Sequence, residues 1–179
     1  MGVVDGCVAP SGLPMAHRIL MGRQMRHGYG SCATSSQMAR TDVYRMLGGF
    51  DPEFRRSEDT EFCVRLARSG GHFAGIASPL VVQSMTKTTD KDLAQEKRYT
   101  LAMLEKHRDL FEEASLYDFC REWIELKHLW LCEERAAFFF LLAKIALRRP
   151  SLTVRKLYNA LPSMGGNLAY RRFHKTQAG

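Results

Sequence analysis

The second half of the chain alternates apolar and polar residues with the spacing of amphipathic helices. Leu93, Leu101 and Leu104 fall on one face of a helix. Acidic residues ahead of an apolar run, and Pro at a first helical position, mark where helices begin. The pattern predicts four helices in this half: one from Asp90 or Asp92 to about Phe111, one over 114–131, one over 133–148 and one that begins at Pro150.

The first half contains shorter elements of both kinds. Up to about Gly30, the apolar stretch Gly2-Val3-Val4 predicts a strand, and the Gly, Met and basic residues that follow predict an irregular loop. From Ser31 to Thr89, helices and strands alternate. The predicted elements are a helix over 43–47 capped by Thr41 and Asp42, a turn at Phe50-Asp51-Pro52, a helix from the N-cap Ser57 to Gly70-Gly71, and strands over 72–76 and 80–83.

Composition indicates a globular protein with a hydrophobic core. The chain has 179 residues, of which 45% are hydrophobic and 25% charged, so it is neither disordered nor fibrous. The opening residues lack the features of a secretory signal. The five cysteines are scattered, and no two stand two to four residues apart, as zinc ligands commonly do. We expect reduced thiols in a cytoplasmic protein.

The positive charge is concentrated at one end of the chain. Residues 143–179 contain eight basic and no acidic residues, and because the whole chain has a net charge of +7, the preceding residues carry 7 − 8 = −1. Such a tail favours an anionic partner, which could be a phospholipid surface, a phosphorylated lipid carrier or a nucleic acid. The alternative is a solvated helical face. The apolar run 136–147 has 12 residues, whereas a membrane span needs about 20.

The most informative stretch runs from Gly48 to Arg65. It consists of Gly-Gly-Phe-Asp, a gap of six residues, and then Glu-Asp-Thr-Glu-Phe-Cys-Val-Arg. Here the chain resembles the family 2 glycosyltransferases. Their acceptor-side half carries Gly-Gly-Phe-Asp, a short gap, and Glu-Asp-any-Asp at the start of a helix that contains Arg. The resemblance covers about a third of the chain, from Ser31 to Lys91, and includes the strands on either side of Pro79.

The resemblance implies an α/β fold (α+β in this truncated chain), the acceptor-side half of a glycosyltransferase A-type nucleotide-diphospho-sugar transferase fold followed by a helical C-terminal region. Residues 1–89 would be the partial catalytic domain and residues 90–179 the helical, basic region. The implied reaction is the inverting transfer of a sugar, of hexosyl type, from a nucleotide-sugar donor to a hydroxyl of a glycan or lipid-linked acceptor. Such transfer would serve cell-envelope polysaccharide synthesis in the cytoplasm, at the inner face of the membrane.

The chemistry of inverting transfer explains why a carboxylate is needed. A base must remove the proton of the acceptor hydroxyl as its oxygen attacks the anomeric carbon. A carboxylate about 3 Å from the hydroxyl can do this, and such positioned proton transfer contributes about 10²–10⁴ in rate. The family match gives this catalytic role to Asp59 and makes Glu58 an orienting partner. We expect Asp59 to face a sugar-binding cleft.

Five other residues are candidates for substrate contacts: Glu61, Arg65, Asp51, Arg40 and Lys87. Each also has a plain structural explanation. Acidic residues are common in a first helical turn, Glu61 and Arg65 have the spacing of a surface pair, and Asp51 suits a turn. Arg40 is either a surface charge or an acceptor contact. Lys87 either pairs with a diphosphate as a point charge or is solvated.

Two family features have no counterpart in this chain. The family's upstream half binds the nucleotide and holds a divalent metal (Mn or Mg) with Asp-any-Asp, a motif that is missing before Gly48. Asp90-Lys91-Asp92 has that spacing but most simply caps a helix. The metal-binding His that many members carry beyond the final strand is missing from 83–87. We therefore expect the donor site and most metal ligands to lie outside this chain, in an upstream donor-binding half.

Two other functions stay open. The chain could be a non-catalytic remnant that binds an acceptor or an anionic membrane surface without turnover. It could also be a basic nucleic-acid-binding module, because Tyr170 and Phe173 flank basic residues, although no recognised motif is present. Hydrolase, kinase and dehydrogenase motifs are absent from the sequence.

Overall fold

A computed structural model of the chain describes residues 8–9, 12–23, 32–75 and 92–159. The described elements are β1 (Val8–Ala9), α1 (Leu13–Met21), a 3₁₀ turn (Thr34–Ser36), α2 (Thr41–Met46), α3 (Glu58–Arg68), β2 (Phe73–Ala74), α4 (Leu93–Lys106), a second 3₁₀ turn (Arg108–Leu110), α5 (Ala114–Leu131), α6 (Arg135–Arg148) and helical residues 150–159. Strands β1 and β2 pair antiparallel. Within the described ranges this two-residue ladder is the whole sheet, so the expected α/β architecture is represented there mainly by helices.

The chain divides into two compact units, Met1–Cys132 and Glu133–Gly179. In the first unit α1 packs on α3, and α4 packs on α5. The division does not test the boundary expected near residue 89, because compactness alone does not mark where a catalytic domain ends. Within the described ranges, none of the helices combines the length and apolarity that crossing a bilayer requires.

Helix α3 carries the core of the first unit. Phe62, Val64 and Ala67 are buried on it, and each large apolar side chain buried in this way contributes about 1.5–3 kcal/mol. The Phe62 ring stacks on Tyr44 with 4.6 Å between centroids and meets the edge of Phe50 at 5.5 Å. These aromatic contacts hold α2, and the turn after it, against α3.

Most predicted helices are present within one or two residues of their expected bounds. This holds for α2, α3, α5, α6 and the helical residues after Pro150. Asp92 is the N-cap of α4, and its Oδ1 accepts hydrogen bonds from the backbone N–H groups of Ala94 and Gln95. The expected strand over 72–76 is observed at Phe73–Ala74. The strands expected at 2–4 and 80–83 lie outside the described residues.

The loop predicted between residue 4 and about Gly30 is wrong at Val8–Ala9, where β1 forms, and between 13 and 21, where α1 forms. This helix begins after Gly12, has Pro14 in its first turn and buries Met15, Ala16 and Leu20. Nine residues give barely two and a half turns, too few for an apolar period to stand out among the surrounding Gly and basic residues. The packing of α1 on α3 stabilises it.

Two predicted helix ends differ from the structure, and a third is confirmed in position although it lacks a side-chain cap. Arg40, not Thr41 or Asp42, is the N-cap of α2. Ser57 is the N-cap of α3, but it has a left-handed backbone (φ 61°) and makes no side-chain cap. The helix expected to reach Phe111 ends at Lys106 and continues as a 3₁₀ turn. The α-helix ends where His107 is buried. That burial is a tertiary contact, which the local sequence pattern does not predict.

Candidate active site on helix α3

The paired glycines end α2 and are tied to α3. Gly48 and Gly49 have φ values of 76° and 74°, a left-handed backbone that glycine adopts without strain. The N–H of Gly49 donates to the carbonyl of Tyr44 at 2.8 Å. From α3, the guanidinium of Arg65 donates to the carbonyls of Leu47 and Gly49, the latter at 2.7 Å. Arg65 therefore fixes the glycine turn relative to α3.

Glu61 holds Arg65 from inside the protein. Its side chain is 0% exposed, and its two oxygens lie 3.0 and 2.9 Å from Nε of Arg65. Nζ of Lys106 lies 2.7 Å from Oε1 of Glu61 and 2.5 Å from Oδ2 of Asp51. Two carboxylates and two cations thus compensate one another, as burial of charge requires. The predicted pair of Glu61 and Arg65 is therefore present, but it is not a surface pair, because the Glu61 carboxylate is buried.

The pKa values of this cluster follow from its contacts. Burial alone raises the pKa of the Glu61 carboxyl, but His107, Lys106 and Arg65 together lower it to about 2. The hydrogen bond from Lys106 lowers the pKa of Asp51 below its usual range. Burial alone lowers the pKa of Lys106, and its two carboxylate partners more than offset this and raise it. Near neutral pH the cluster is therefore ionic.

His107 closes the cluster from the end of α4. Its ring is buried, and Nε2 lies 3.3 Å from Oε1 of Glu61 but is not aligned for a hydrogen bond. The two groups are nevertheless close enough for the imidazole to help lower the pKa of Glu61. On the other side of the ring, NH1 of Arg68 lies 3.4 Å from Nδ1. A donor at Nδ1 favours the tautomer with its proton on Nε2, facing Glu61.

Asp59 lies in the first turn of α3, partly exposed. Thr34 donates to Oδ2 from its backbone N–H (3.0 Å) and from Oγ1 (3.3 Å). Thr60 donates to Oδ1 from its backbone N–H (2.6 Å) and from Oγ1 (3.2 Å). A carboxylate has about four acceptor sites, so these donors occupy it in this conformation. The Thr60 hydroxyl can rotate away, while the Thr34 hydroxyl and the two backbone donors keep the carboxylate oriented.

Gln37 fastens the segment that carries Thr34 to α3. Its Nε2 donates to the carbonyl of Cys32 and lies 3.4 Å from the carbonyl of Asp59 and 3.2 Å from Sγ of Cys63. A hydrogen bond between the two thiols lowers the pKa of Cys32 and, with burial, raises that of Cys63. The four described cysteines, Cys120 and Cys132 among them, form no disulfide with one another, and their expected reduced state stays a prediction.

Glu58, the second predicted catalytic residue, begins α3 and is partly buried. Within the described residues its carboxylate makes no hydrogen bond or ion pair. Glu61, three residues later on the same helix, is instead buried. Glu58 and Asp59 are adjacent in sequence, but among the described residues the Asp59 carboxylate accepts hydrogen bonds from Thr34 and Thr60, whereas the Glu58 carboxylate accepts none.

The remaining predicted substrate contacts are spread over the first unit. Arg40 is exposed and pairs with Asp42, with NH2 2.8 Å from Oδ2, and this pair raises the pKa of Arg40 and lowers that of Asp42. Asp51 forms the predicted turn, because its carbonyl accepts a hydrogen bond from the N–H of Phe54 at 3.0 Å. Lys87 lies outside the described residues.

Two shallow depressions occur in the described part of the first unit. One lies between α4 and α5. The other lies beside the buried cluster and is lined by Arg65, Arg68, Lys106 and His107, among others. Asp59 lines neither of them. The sugar-binding cleft expected in front of Asp59 therefore stays a prediction.

The described residues do not fit a divalent metal. Asp51 and Glu61 converge on Nζ of Lys106, which lies 2.5 and 2.7 Å from their oxygens. A cation is thus already supplied by the protein itself. Among the described residues no group of three His, Cys, Asp or Glu side chains could hold a metal ion.

Four residues that matter for this geometry escaped the sequence analysis: Thr34, Gln37, Lys106 and His107. Thr34 and Gln37 lie in the stretch that resembles the family, but no spacing rule marks them as partners of Asp59. Lys106 and His107 lie at the end of a helix that the pattern predicts only as amphipathic. Nothing local distinguishes them from other residues on that helix.

Comparison with known proteins assigns the chain to a family. The model of the glycosyl transferase family group 2 matches residues 15–163, which is most of the chain. The chain therefore belongs to this family, and family membership implies a transferase that acts on a sugar donor and an acceptor. Neither the curated proteins nor the solved structures include a match.

Proposed function

We propose that this chain forms the acceptor-side part of an inverting glycosyltransferase with a glycosyltransferase A-type fold, and that Asp59 is its base. The observation that carries the proposal is the setting of Asp59. Its carboxylate stands at the start of α3, oriented by backbone N–H groups of Thr34 and Thr60. The glycine turn is tied to the same helix through Arg65.

The proposed reaction is a single displacement. The oxygen of an acceptor alcohol attacks the anomeric carbon of a nucleotide-sugar and forms the new glycosidic bond. The bond from that carbon to the diphosphate oxygen breaks, and the nucleoside diphosphate leaves with the electron pair. Asp59 takes the proton of the acceptor hydroxyl during attack. Glu58, which has no partner among the described residues, binds and orients the acceptor.

The same geometry supports a different role for three of the predicted substrate contacts. Glu61 is buried and both its oxygens contact Arg65, and Asp51 is engaged by Lys106 and by its own turn. These charges support the position of α3 relative to the glycine turn rather than touch a sugar. Arg40, which is exposed, remains available for an acceptor, and Lys87 for a donor diphosphate.

A transfer assay tests the proposal. The chain would be assayed alone, and joined to any coding sequence in frame ahead of it, with labelled nucleotide-sugars and pooled glycan and polyprenyl phosphate acceptors. Buffers would contain Mg²⁺ or Mn²⁺. We expect label to move to an acceptor with inversion at the anomeric carbon. Retention of the anomeric configuration would contradict the single displacement, and binding of acceptor without any turnover would favour the non-catalytic alternative.

Removing the Thr34 hydroxyl should weaken catalysis without weakening substrate binding. Thr34→Val keeps the backbone donor to Asp59 but deletes Oγ1. A hydrogen bond of this kind contributes about 1 kcal/mol, so we expect kcat to fall about fivefold with KM nearly unchanged. Thr34→Ser should restore kcat. The control is Thr41→Val, an exposed threonine on α2. A rise in KM at constant kcat, or no rescue by Ser, would contradict a positioning role.

A further inference from the structure

The second unit carries a segment with an unusual charge balance. Residues 135–159 include six basic residues and no acidic one: Arg135, Lys144, Arg148, Arg149, Arg155 and Lys156. Both helical stretches of the described part of this unit lie within the segment. A helical segment with basic and no acidic residues favours a partner that is itself negatively charged over an extended area.

Helix α6 is apolar on the face that the protein buries and also on the face it presents outward. The inward face holds the fully buried Ile145. Residues three to four positions apart share a face, and the outward one holds Phe140, Ala143, Lys144 and Leu147. Phe140 is 77% exposed and Leu147 86% exposed. Packing inside the unit explains the buried face but leaves the outward one unexplained.

The helical residues 150–159 repeat this arrangement. Thr153 is buried, and its backbone N–H and hydroxyl both bond to the carbonyl of Arg149. Val154 and Tyr158 are largely exposed and stand four positions apart, with the exposed Arg155 beside them. Each helical stretch thus exposes large apolar side chains together with cations on one side.

We propose that these outward faces, centred on Phe140, Leu147, Val154 and Tyr158, dock the protein on an anionic phospholipid surface. Aromatic and aliphatic side chains would enter the boundary between headgroups and acyl chains, and the neighbouring arginines and lysines would lie at the level of the phosphates. Each basic residue near such a surface contributes about a fivefold gain in binding. The surface belongs to the second unit alone and does not depend on the proposed catalytic role of Asp59.

Charge and chemistry together favour lipid over the other occupants. A second copy of this segment would bring six further basic residues near the first six, and like charges across an interface oppose association. A nucleic acid would satisfy the cations but would leave exposed phenylalanine, leucine and valine in water. A lipid surface satisfies both features, because phosphate and hydrocarbon lie a few ångströms apart in depth.

Vesicle co-sedimentation of the full chain tests the proposal. The probes are vesicles of phosphatidylcholine alone and vesicles of equal parts phosphatidylcholine and phosphatidylglycerol, at about 50 and about 500 mM salt. We expect binding to the anionic vesicles at low salt, and at least tenfold weaker binding to neutral vesicles or at high salt. Equal binding to neutral and anionic vesicles, and at low and high salt, would overturn the proposal.

Two double variants separate the apolar and electrostatic parts. Phe140→Ser with Leu147→Ser should weaken binding at least tenfold, with Met38→Ser plus Met46→Ser, also strongly exposed but on the first unit, as the matched control.

Arg149→Gln with Arg155→Gln should also weaken binding at least tenfold, against the exposed Arg45→Gln plus Arg55→Gln. Circular dichroism checks folding. If the apolar variant loses helicity, the proposal is judged from the charge variant and from the salt dependence of vesicle binding by the native chain.

Three results would count against a lipid partner. The first is failure of the native chain to sediment with anionic vesicles. The second is equal loss of binding in the control variants, which would mean that the whole basic surface binds without a defined face. The third is that the protein does not bind vesicles but instead dimerises in a concentration-dependent way, or binds RNA tightly, through Phe140 and Leu147.

Discussion

Asp59→Asn should lower the rate of sugar transfer at least a hundredfold while leaving the fold intact. The amide keeps the size of the carboxylate and can still accept hydrogen bonds on one oxygen, but it cannot take a proton from the acceptor alcohol. Positioned proton transfer contributes about 10²–10⁴ in rate, so kcat should fall by that factor. The measurement is the initial rate of transfer at saturating donor and acceptor.

The control for this substitution is Asp42→Asn on α2. Asp42 is an exposed carboxylate that pairs with Arg40, and its loss should change kcat less than twofold. Thermal melts of both variants show whether a lost rate is a lost fold. A folded Asp59→Asn protein that transfers sugar within about threefold of the native rate would remove Asp59 from the role of base.

Glu61→Gln should destabilise the first unit by about 3 kcal/mol, the second large effect. The amide fits the same buried space but lacks the charge that faces Arg65, Lys106 and His107. Removing one partner from a buried ionic cluster leaves the other charges poorly compensated, at a typical cost of about 3–5 kcal/mol. We expect a loss of stability at the lower end of this range, because the side chain of Lys106 is 33% exposed. Urea unfolding at neutral pH measures the loss.

Acid should remove this contribution from the native protein. The folded pKa of Glu61, about 2, lies below its ordinary value of 4.5. A lowered pKa stabilises the folded state above the ordinary value, and the stabilisation is lost as pH falls from about 4.5 through about 2. A difference of that size corresponds to about 3 kcal/mol. The gap in unfolding free energy between the native protein and Glu61→Gln should therefore narrow as pH is lowered from neutral toward 3.

The matched control is Glu58→Gln. Glu58 lies on the same helix three residues earlier, without a hydrogen bond or ion pair in the described residues, so its substitution should change stability at neutral pH by less than about 0.5 kcal/mol. If Glu61→Gln were as stable as the native protein across this range, the buried cluster would not support α3. The base assignment of Asp59 would be unaffected by that result.

Local patterns predict most of the helices because each has a period, a cap or a stop that acts over a few residues. Asp92 caps α4 through bonds to residues two and three positions on, and Gly48 and Gly49 stop α2 with a backbone that glycine favours. The short helix α1 escaped prediction, since it depends on packing against α3. The end of α4 at Lys106 escaped it as well, because the burial of His107 is a long-range contact.

The amino-acid order alone establishes the family resemblance between Gly48 and Arg65, because that resemblance is a pattern of residue types and spacings. It also establishes the helix that begins at Glu58 and the three carboxylates in its first turn, because these depend on neighbours within one turn of helix. It does not establish which carboxylate turns inward. That choice depends on partners brought from far along the chain: Thr34, 25 residues before Asp59, and Lys106, 55 residues after Asp51. Tertiary contacts bury Glu61 among cations and leave Asp59 partly exposed, since the direction of the core is decided by packing and not by helical spacing.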